Sequence, residues 1–248
     1  MGYHIHVSVL DWQFVRLGFS KDGIFMEKLI LASASPRRVQ LLKQIGLGFH
    51  QKISSTCEDI GHDLDPEQYV KHLALVKAQD VAGQLDQGFI IGADTVVVHN
   101  GEILGKPIDS GDARRMLKEL SGGTHHVISG VALVDAGTGK YLVDHESTKV
   151  HFKSLSPREI ESYTATGEPM GKAGAYAIQG LGAVLVEGIE GCYNNVVGLP
   201  ITKLIKMLRD FGVDIWEGTG EGKPSCHQNL STTSRLRSCR LIKGPGKN

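Results

Sequence analysis

The chain has 248 residues, 41% apolar and 22% charged, and its 27 basic and 27 acidic side chains leave no formal net charge. That balance argues against a general nucleic-acid or membrane-surface binder, whereas a small anionic ligand needs only a local basic pocket. No apolar run approaches the ~18 residues of a membrane span, the four cysteines form no CxxC pair and the eleven histidines lack metal-ligand spacing, so a cytoplasmic, reducing setting without structural zinc is expected.

Residues 1–25 read as an extension. Val7-Ser8-Val9-Leu10 and Phe14-Val15 have strand character, but Asp11 and Arg16 interrupt any signal-peptide core. The informative stretch comes next. Leu29-Ile30-Leu31 is a short apolar run that reads as a buried strand. It breaks at Ser33 and restarts as a helix from Pro36, with apolar residues at Val39, Leu42 and Ile45. Ser35 suits the N-cap and Pro36 the first helical position. Arg37 and Arg38 in the first turn oppose the helix dipole, which favours anions there. One reading is two solvated arginines. The other is a phosphate site made of free N–H groups, the Ser33 and Ser35 hydroxyls and guanidinium forks.

A strand is expected over 49–53, then a polar loop through Glu58 and Asp59. Asp65-Pro66-Glu67-Gln68 opens a helix running to about Leu85. Its apolar stripe (Val70, Leu73, Ala74, Ala78, Val81, Leu85) carries Lys77 with it. The lysine either snorkels along its stem or reaches an anion under the sheet; spacing leaves both open. Phe89 to Val98 reads as a buried strand with Asp94 as its anomaly. A carboxylate there is costly unless paired, metal-bound or functional, or held by local backbone donors.

Asn100-Gly101 signals a hairpin turn, and Lys106 precedes the forced turn at Pro107. Asp109 or Ser110 opens a helix that Gly122-Gly123 stops. Val127, Ser129, Val131 and Leu133 have strand spacing, and Tyr141 to Phe152 is the return strand. Ser156-Pro157-Arg158-Glu159 is a capping box. Residues 167–198 hold eight glycines, with a strand expected over 182–189, and a last helix runs from Pro200 to Gly212. Residues 218–248 carry six Lys/Arg against one Glu, the composition of a disordered basic tail. The domain expected between the two extensions is 26–217, and the element order is that of an α/β fold.

SASPRR at 33–38, Glu58, Lys77-Ala78, GADTVV at 92–97, GKP at 105–107, GEPMGKAGAYAIQG at 167–180 and NNVVGLP at 194–200 come in that order. Together they resemble the Maf family of nucleotide pyrophosphatases, also called septum formation inhibitors. The resemblance covers roughly Lys28 to Asp214. It implies a mixed, elongated sheet flanked by helices, with two lobes and a central cleft as in HAM1-like proteins. It implies hydrolysis of a nucleoside triphosphate to monophosphate and pyrophosphate. Arg37, Thr95 and Gln179 match the subgroup acting on dTTP and UTP, where they would read the pyrimidine; CTP and modified pyrimidine nucleotides are further candidates. Ser33, Ser35, Arg38, Lys77 and Lys106 would hold the phosphates and Asp94 would be the base. Glu58, with or without Asp94, would hold a divalent ion, most simply Mg²⁺, with Mn²⁺ or Co²⁺ as alternatives. A homodimer is common in such enzymes. Serine at 129 and cysteine at 192 depart from the family's usual threonine and serine, and neither is expected to touch the chemistry. The family's other name supplies an alternative, a regulatory binding protein affecting cell division.

Overall fold

Phe89–His99 (β4), apolar but for Asp94, Thr95 and His99, lies in the middle of a mixed sheet. A computed structural model describes residues 17–20, 23–56, 64–213 and 215. The expectations for 1–16 and for the basic tail, and Cys57, Glu58, Cys226 and Cys239, lie outside the described residues. The remaining strands are β1 (Leu17–Ser20), β2 (Gly23–Leu31), β3 (Leu47–Gln51), β5 (Glu102–Leu104), β6 (Thr124–Asp135), β7 (Tyr141–Phe152) and β8 (Val186–Glu190). Their order is β1-β2-β4-β6-β7-β8, with β3 on β2 and β5 on β4. β2 runs parallel to β3 and β4; β4, β6, β7 and β8 form an antiparallel meander. The part of the N-terminal extension over 17–25 therefore enters the sheet, through β1 and the start of β2.

Six α-helices accompany the sheet among the described residues: α1 (Pro36–Gln44), α2 (Pro66–Ala82), α3 (Ser110–Leu120), α4 (Pro157–Ala165), α5 (Tyr193–Val197) and α6 (Ile201–Asp210). Their starts follow the sequence signals. Asp65 accepts from the Gln68 amide at 2.9 Å and Asp109 from the Asp112 amide at 2.8 Å. Ser156 and Glu159 make both bonds of the capping box. Three expectations shift. α2 stops at Ala82, where Gly83 donates to the Gln79 carbonyl. β3 begins two residues early, directly after Gly46 turns with φ +70°. The strand expected over 182–189 starts only at Val186 (β8), and residues 180–185 form a 3-10 turn. Their amides at Leu181 and Gly182 bond the Glu168 carboxylate, so they are lost to the strand ladder.

Both faces of β4 and β6 are covered. On one face, Phe89, Ile91 and Ala93 join Val131, Leu133, α1 and α6 in one core. Val97 and Val127 join α3, α4 and Phe152 in a second core on that same face. The opposite face carries Ile90, Ala132 and Val134 against α2, with Val96 and Ile128 against Val70. The two-lobe expectation thus corresponds to two cores meeting at the middle of β4.

α2 lies unusually close to the sheet because two glycines admit it. A Cβ on Gly92 would stand 2.0 Å from the Ala74 carbonyl oxygen. One on Gly130 would stand 2.1 Å from that of Val70. Backbone atoms cannot yield as a side chain does, so overpacking is penalised here. Gly130→Ala is expected to lower the urea-unfolding free energy by about 3 kcal/mol. Gly188→Ala, with open space around it, should change it by less than about 0.5 kcal/mol.

Candidate active site

Among the described residues, β4 has no strand neighbour on one edge for five residues. β2 pairs with Phe89 to Ile91, and β5 pairs with Val97 to His99. The last ladder bond runs from the Ala32 amide to the Ile91 carbonyl, 2.8 Å, after which the chain turns away at Ser33. A cleft of about 380 Å³ opens at this gap. Asp94 and Thr95 both line it, although successive strand residues point to opposite faces. Only an uncovered edge lets one cavity reach both. Ser33, Ser35, Arg37, Arg38, Lys77, Lys106 and Gln179 line the same cleft. The structure thus brings together every sequence-predicted site residue except Glu58, which lies outside the described residues.

On the α2 face, the Lys77 ammonium donates to Asp94 Oδ1 at 2.7 Å, with both side chains about nine-tenths buried. The two readings left open for Lys77 resolve in favour of the anion. Helix spacing put the lysine on the packed face, and the glycine-lined seat of α2 brings it within reach. Asp94 is thereby held by a side chain rather than by local backbone donors. Asp80, one turn on from Lys77, anchors the cleft rim. Its Oδ2 accepts from the Ser55 amide at 2.8 Å and from Ser54 at 2.9 Å. Those two bonds, the amide first, hold its carboxyl below the usual range.

On the other face, Arg38 fills the gap in the sheet. Its Nη1 donates to the Ala93 carbonyl (2.9 Å) and to Ser33 Oγ (3.1 Å). Nε donates to the Gly198 carbonyl (2.8 Å) and Nη2 to Thr95 Oγ1 (3.2 Å). The guanidinium fork supplies what a neighbouring strand would have supplied and ties α1, β4 and the α5–α6 junction together. Ser35 is the N-cap of α1, but its hydroxyl makes no capping bond; its amide donates to Ser33 Oγ at 3.2 Å. Arg37 donates to the Val197 carbonyl at 3.2 Å, and burial lowers its pKa.

Ser129 requires a correction. It lies opposite Thr95 in the β4–β6 register, it is fully buried, and its Oγ is 2.8 Å from Thr95 Oγ1. It therefore touches a predicted site residue directly, which sequence reasoning did not expect. Ser129 in turn donates to the Asn195 carbonyl at 3.2 Å. The Asn195 amide nitrogen donates to the Val127 carbonyl (2.9 Å) and to Thr148 (3.0 Å). Asn195 belongs to α5, a short helix no sequence signal announced; its one hint was an asparagine in an otherwise apolar NNVVGLP run. Cys192, the N-cap of α5, meets Thr148 through its backbone alone.

The glycine-rich segment folds around a carboxylate. Glu168 accepts from the Gly182 amide (2.8 Å), the Leu181 amide (3.0 Å) and the Tyr163 hydroxyl (2.9 Å). Burial alone would raise its carboxyl pKa, but these donors hold it below the usual range. Gly174, at φ +67°, donates to the Gly105 carbonyl at 3.0 Å and so ties the segment to Lys106's neighbour. Lys172, also lining the cleft, donates to the Glu168 carbonyl. Burial and the nearby Arg37 charge lower its pKa. Tyr176 forms a wall, wedged edge-on against Phe152 (centroids 4.7 Å) and bonded to His125 Nε2 at 2.8 Å. Lys172 and Tyr176 were legible only as members of a glycine-rich stretch.

Among the described residues no three His, Cys, Asp or Glu side chains come together as a metal cage, and no helix is long and apolar enough to cross a membrane. A family model described as "Maf-like protein" matches residues 28–211. The dTTP/UTP pyrophosphatase of Pelotomaculum thermopropionicum is 52% identical over 77% of this chain and 100% of its own length. Its counterpart in Moorella thermoacetica is 52% identical over 77% of this chain and 98% of its own. That of Desulforamulus reducens is 49% identical over 77% and 100%. Among solved structures, the Staphylococcus aureus Ham1 protein is a partial likeness, with 13% identity and a TM-score of 0.37 over 50% of this chain and 71% of that one.

Burial, followed by the neighbouring histidines His99, His126 and His151, pushes His125 down to about 3. Its ordinary value is 6.5, so between these limits the unfolded chain binds a proton that the folded one refuses. The stabilisation is full above the ordinary value and falls as the pH drops toward 3, by at most about 1.4 kcal/mol per pH unit. Unfolding midpoints at pH 7 and pH 5 should therefore diverge more in wild type than in His125→Gln; equal pH sensitivity in the two would contradict this.

Proposed function

The chain belongs to the Maf-like protein family, and we propose that it hydrolyses dTTP and UTP to the monophosphate and pyrophosphate, with CTP and modified pyrimidine triphosphates as lesser candidates. The observation carrying this reading is Asp94, ion-paired to Lys77 at 2.7 Å, on the open edge of β4 in a cleft that also gathers Arg37, Arg38, Lys106 and Lys172. The chain is neutral overall, so cations are concentrated where a polyanionic triphosphate would sit.

Phosphoryl transfer is mainly positioning and charge stabilisation. Lys77 fixes Asp94 Oδ1, and the carboxylate takes the proton of the attacking water. The new bond forms between the water oxygen and the α-phosphorus, and the α–β bridge breaks. The cations of the cleft offset the charge developing on the pyrophosphate oxygens. Arg37, Thr95 and Gln179 face the base, and Ser33, Ser35 and the Arg38 fork shape the phosphate end.

A divalent ion fits this donor set. Mg²⁺ is typically bound through one or two carboxylates plus substrate phosphates rather than by an all-protein cage. Asp94 supplies a carboxylate inside the cleft, and Glu58 is the second candidate; Mn²⁺ or Co²⁺ would suit the same oxygens. When bound, such an ion neutralises phosphate charge. Cytoplasmic location and a homodimer are further parts of the proposal, carried by the family resemblance.

Pyrophosphate release from dTTP, UTP, CTP, GTP and ATP with Mg²⁺ tests the reading. Wild type should favour dTTP and UTP, and Asp94→Asn should cut kcat by about 10³-fold. Lys77→Met should cost at least about tenfold in kcat while the protein stays folded. An Asp94→Asn enzyme as fast as wild type would refute the base assignment.

A further inference from the structure

Thr95 carries one hydroxyl hydrogen, and the surroundings consume it. Arg38 Nη2 can only donate, so at 3.2 Å Thr95 accepts from it. The Ser129 hydroxyl lies 2.8 Å away on the other side, and Ser129 donates to the Asn195 carbonyl at 3.2 Å. A carbonyl cannot donate, so with the Ser129 hydrogen on Asn195 the short contact is a donation from Thr95 to Ser129. The proton order is Arg38 to Thr95 to Ser129 to the Asn195 carbonyl. The one other acceptor near Thr95 among the described residues is the Gly198 carbonyl, which also accepts from Arg38 Nε at 2.8 Å and, at 3.4 Å from Thr95, is the weaker partner. In either arrangement the Thr95 hydrogen stays inside the protein, and Thr95 lines the cleft as an acceptor only.

We infer that Ser129 is a positioning residue for base selection: by holding the hydrogen of Thr95, it makes that hydroxyl a pure acceptor toward a nucleobase. This rests on the pyrimidine triphosphate reading above. Uracil and thymine carry a donor, N3–H, where cytosine carries a bare N3 lone pair. An acceptor facing that position pairs with the first two and opposes the third with a second lone pair. Hydrogen-bond polarity of this kind discriminates more strongly than shape, because the wrong base leaves buried polar groups unpaired. The arrangement is rigid. Ser129 is fully buried, Asn195 is clamped to Val127 and Thr148, and both cores of that sheet face press on the pair from either side.

Ser129→Ala removes the near acceptor and leaves the Thr95 hydrogen only the long 3.4 Å contact to the Gly198 carbonyl, so an acceptor on a base in the cleft competes for it. The test is kcat/KM for pyrophosphate release from UTP and from CTP with Mg²⁺, in wild type, Ser129→Ala and Ser129→Thr. The UTP-to-CTP ratio should fall by about tenfold in Ser129→Ala, with kcat/KM for CTP maintained or raised, and return to within about twofold of wild type in Ser129→Thr, which restores the hydroxyl. A simple packing defect would lower both nucleotides together. A folded Ser129→Ala with the wild-type ratio, or with equal losses on both substrates, overturns the inference. Should Ser129→Ala not fold, Thr95→Val removes the hydroxyl without changing shape; retention of the wild-type ratio there overturns it too. Wild type releasing pyrophosphate from no pyrimidine triphosphate overturns the pyrophosphatase reading itself. Wild type acting equally on UTP and CTP leaves that reading standing and overturns the polarity argument alone.

Discussion

The site depends on a missing strand. Over residues 92–96, β4 has β6 on one edge and, among the described residues, no strand on the other, because β2 turns away at Ser33 and the β5 pairing starts only at Val97. Unpaired backbone groups in a sheet must find partners or face solvent. Here the Arg38 guanidinium takes the Ala93 carbonyl, and the rest of the edge becomes the floor of a cleft. The same gap lets Asp94 and Thr95, neighbours on opposite faces, serve one cavity. A complete sheet of identical composition would have buried one and hidden the other.

The two faces then acquire different chemistry from what packs on them. α2 descends onto Gly92 and Gly130 and delivers an ammonium to Asp94. Burying an ion pair has a desolvation penalty that its mutual attraction offsets only with good geometry. Such a pair on the wall of a cleft is more readily understood as part of a site than as a source of stability. The opposite face carries two apolar cores that meet at Thr95 and Ser129. A hydroxyl pair at that seam is satisfied by Arg38 above and Asn195 below. Both faces thus place a polar group at the same point along β4, and both polar groups are held by partners distant in sequence.

The third wall is built by the glycine-rich segment. Glu168 gathers the amides of Leu181 and Gly182 and the Tyr163 hydroxyl, so a stretch without regular structure is nonetheless pinned. Tyr176, locked between Phe152 and His125, gives that wall an aromatic surface, and Lys172 adds a cation facing Arg37's side of the cleft. The hydrogen bond from Gly174 to Gly105 keeps Lys106 in register with it.

Sequence alone determined the parts that depend on near neighbours. The helix starts at Asp65, Asp109 and Ser156 were legible because a cap bonds an amide three residues away. The β4 run and the placement of Lys77 on the buried stripe of α2 followed from periodicity. An aspartate in that run announced itself by its cost. The list of cleft residues came from motifs whose order matches a family, and the fold places all the described ones together. Tertiary structure decided what no local rule contains. The strand read over 182–189 begins only at Val186, because the Leu181 and Gly182 amides belong to Glu168, more than ten residues back. α5 is too short for any periodic signal. Ser129 looked like a neutral departure, because its partners, Thr95 and Asn195, are 34 and 66 positions away. Whether Lys77 snorkelled or paired turned on the depth at which α2 sits, which two glycines on other strands set. Spacing along the chain encodes which face a side chain takes; what waits on that face is settled only when distant segments pack.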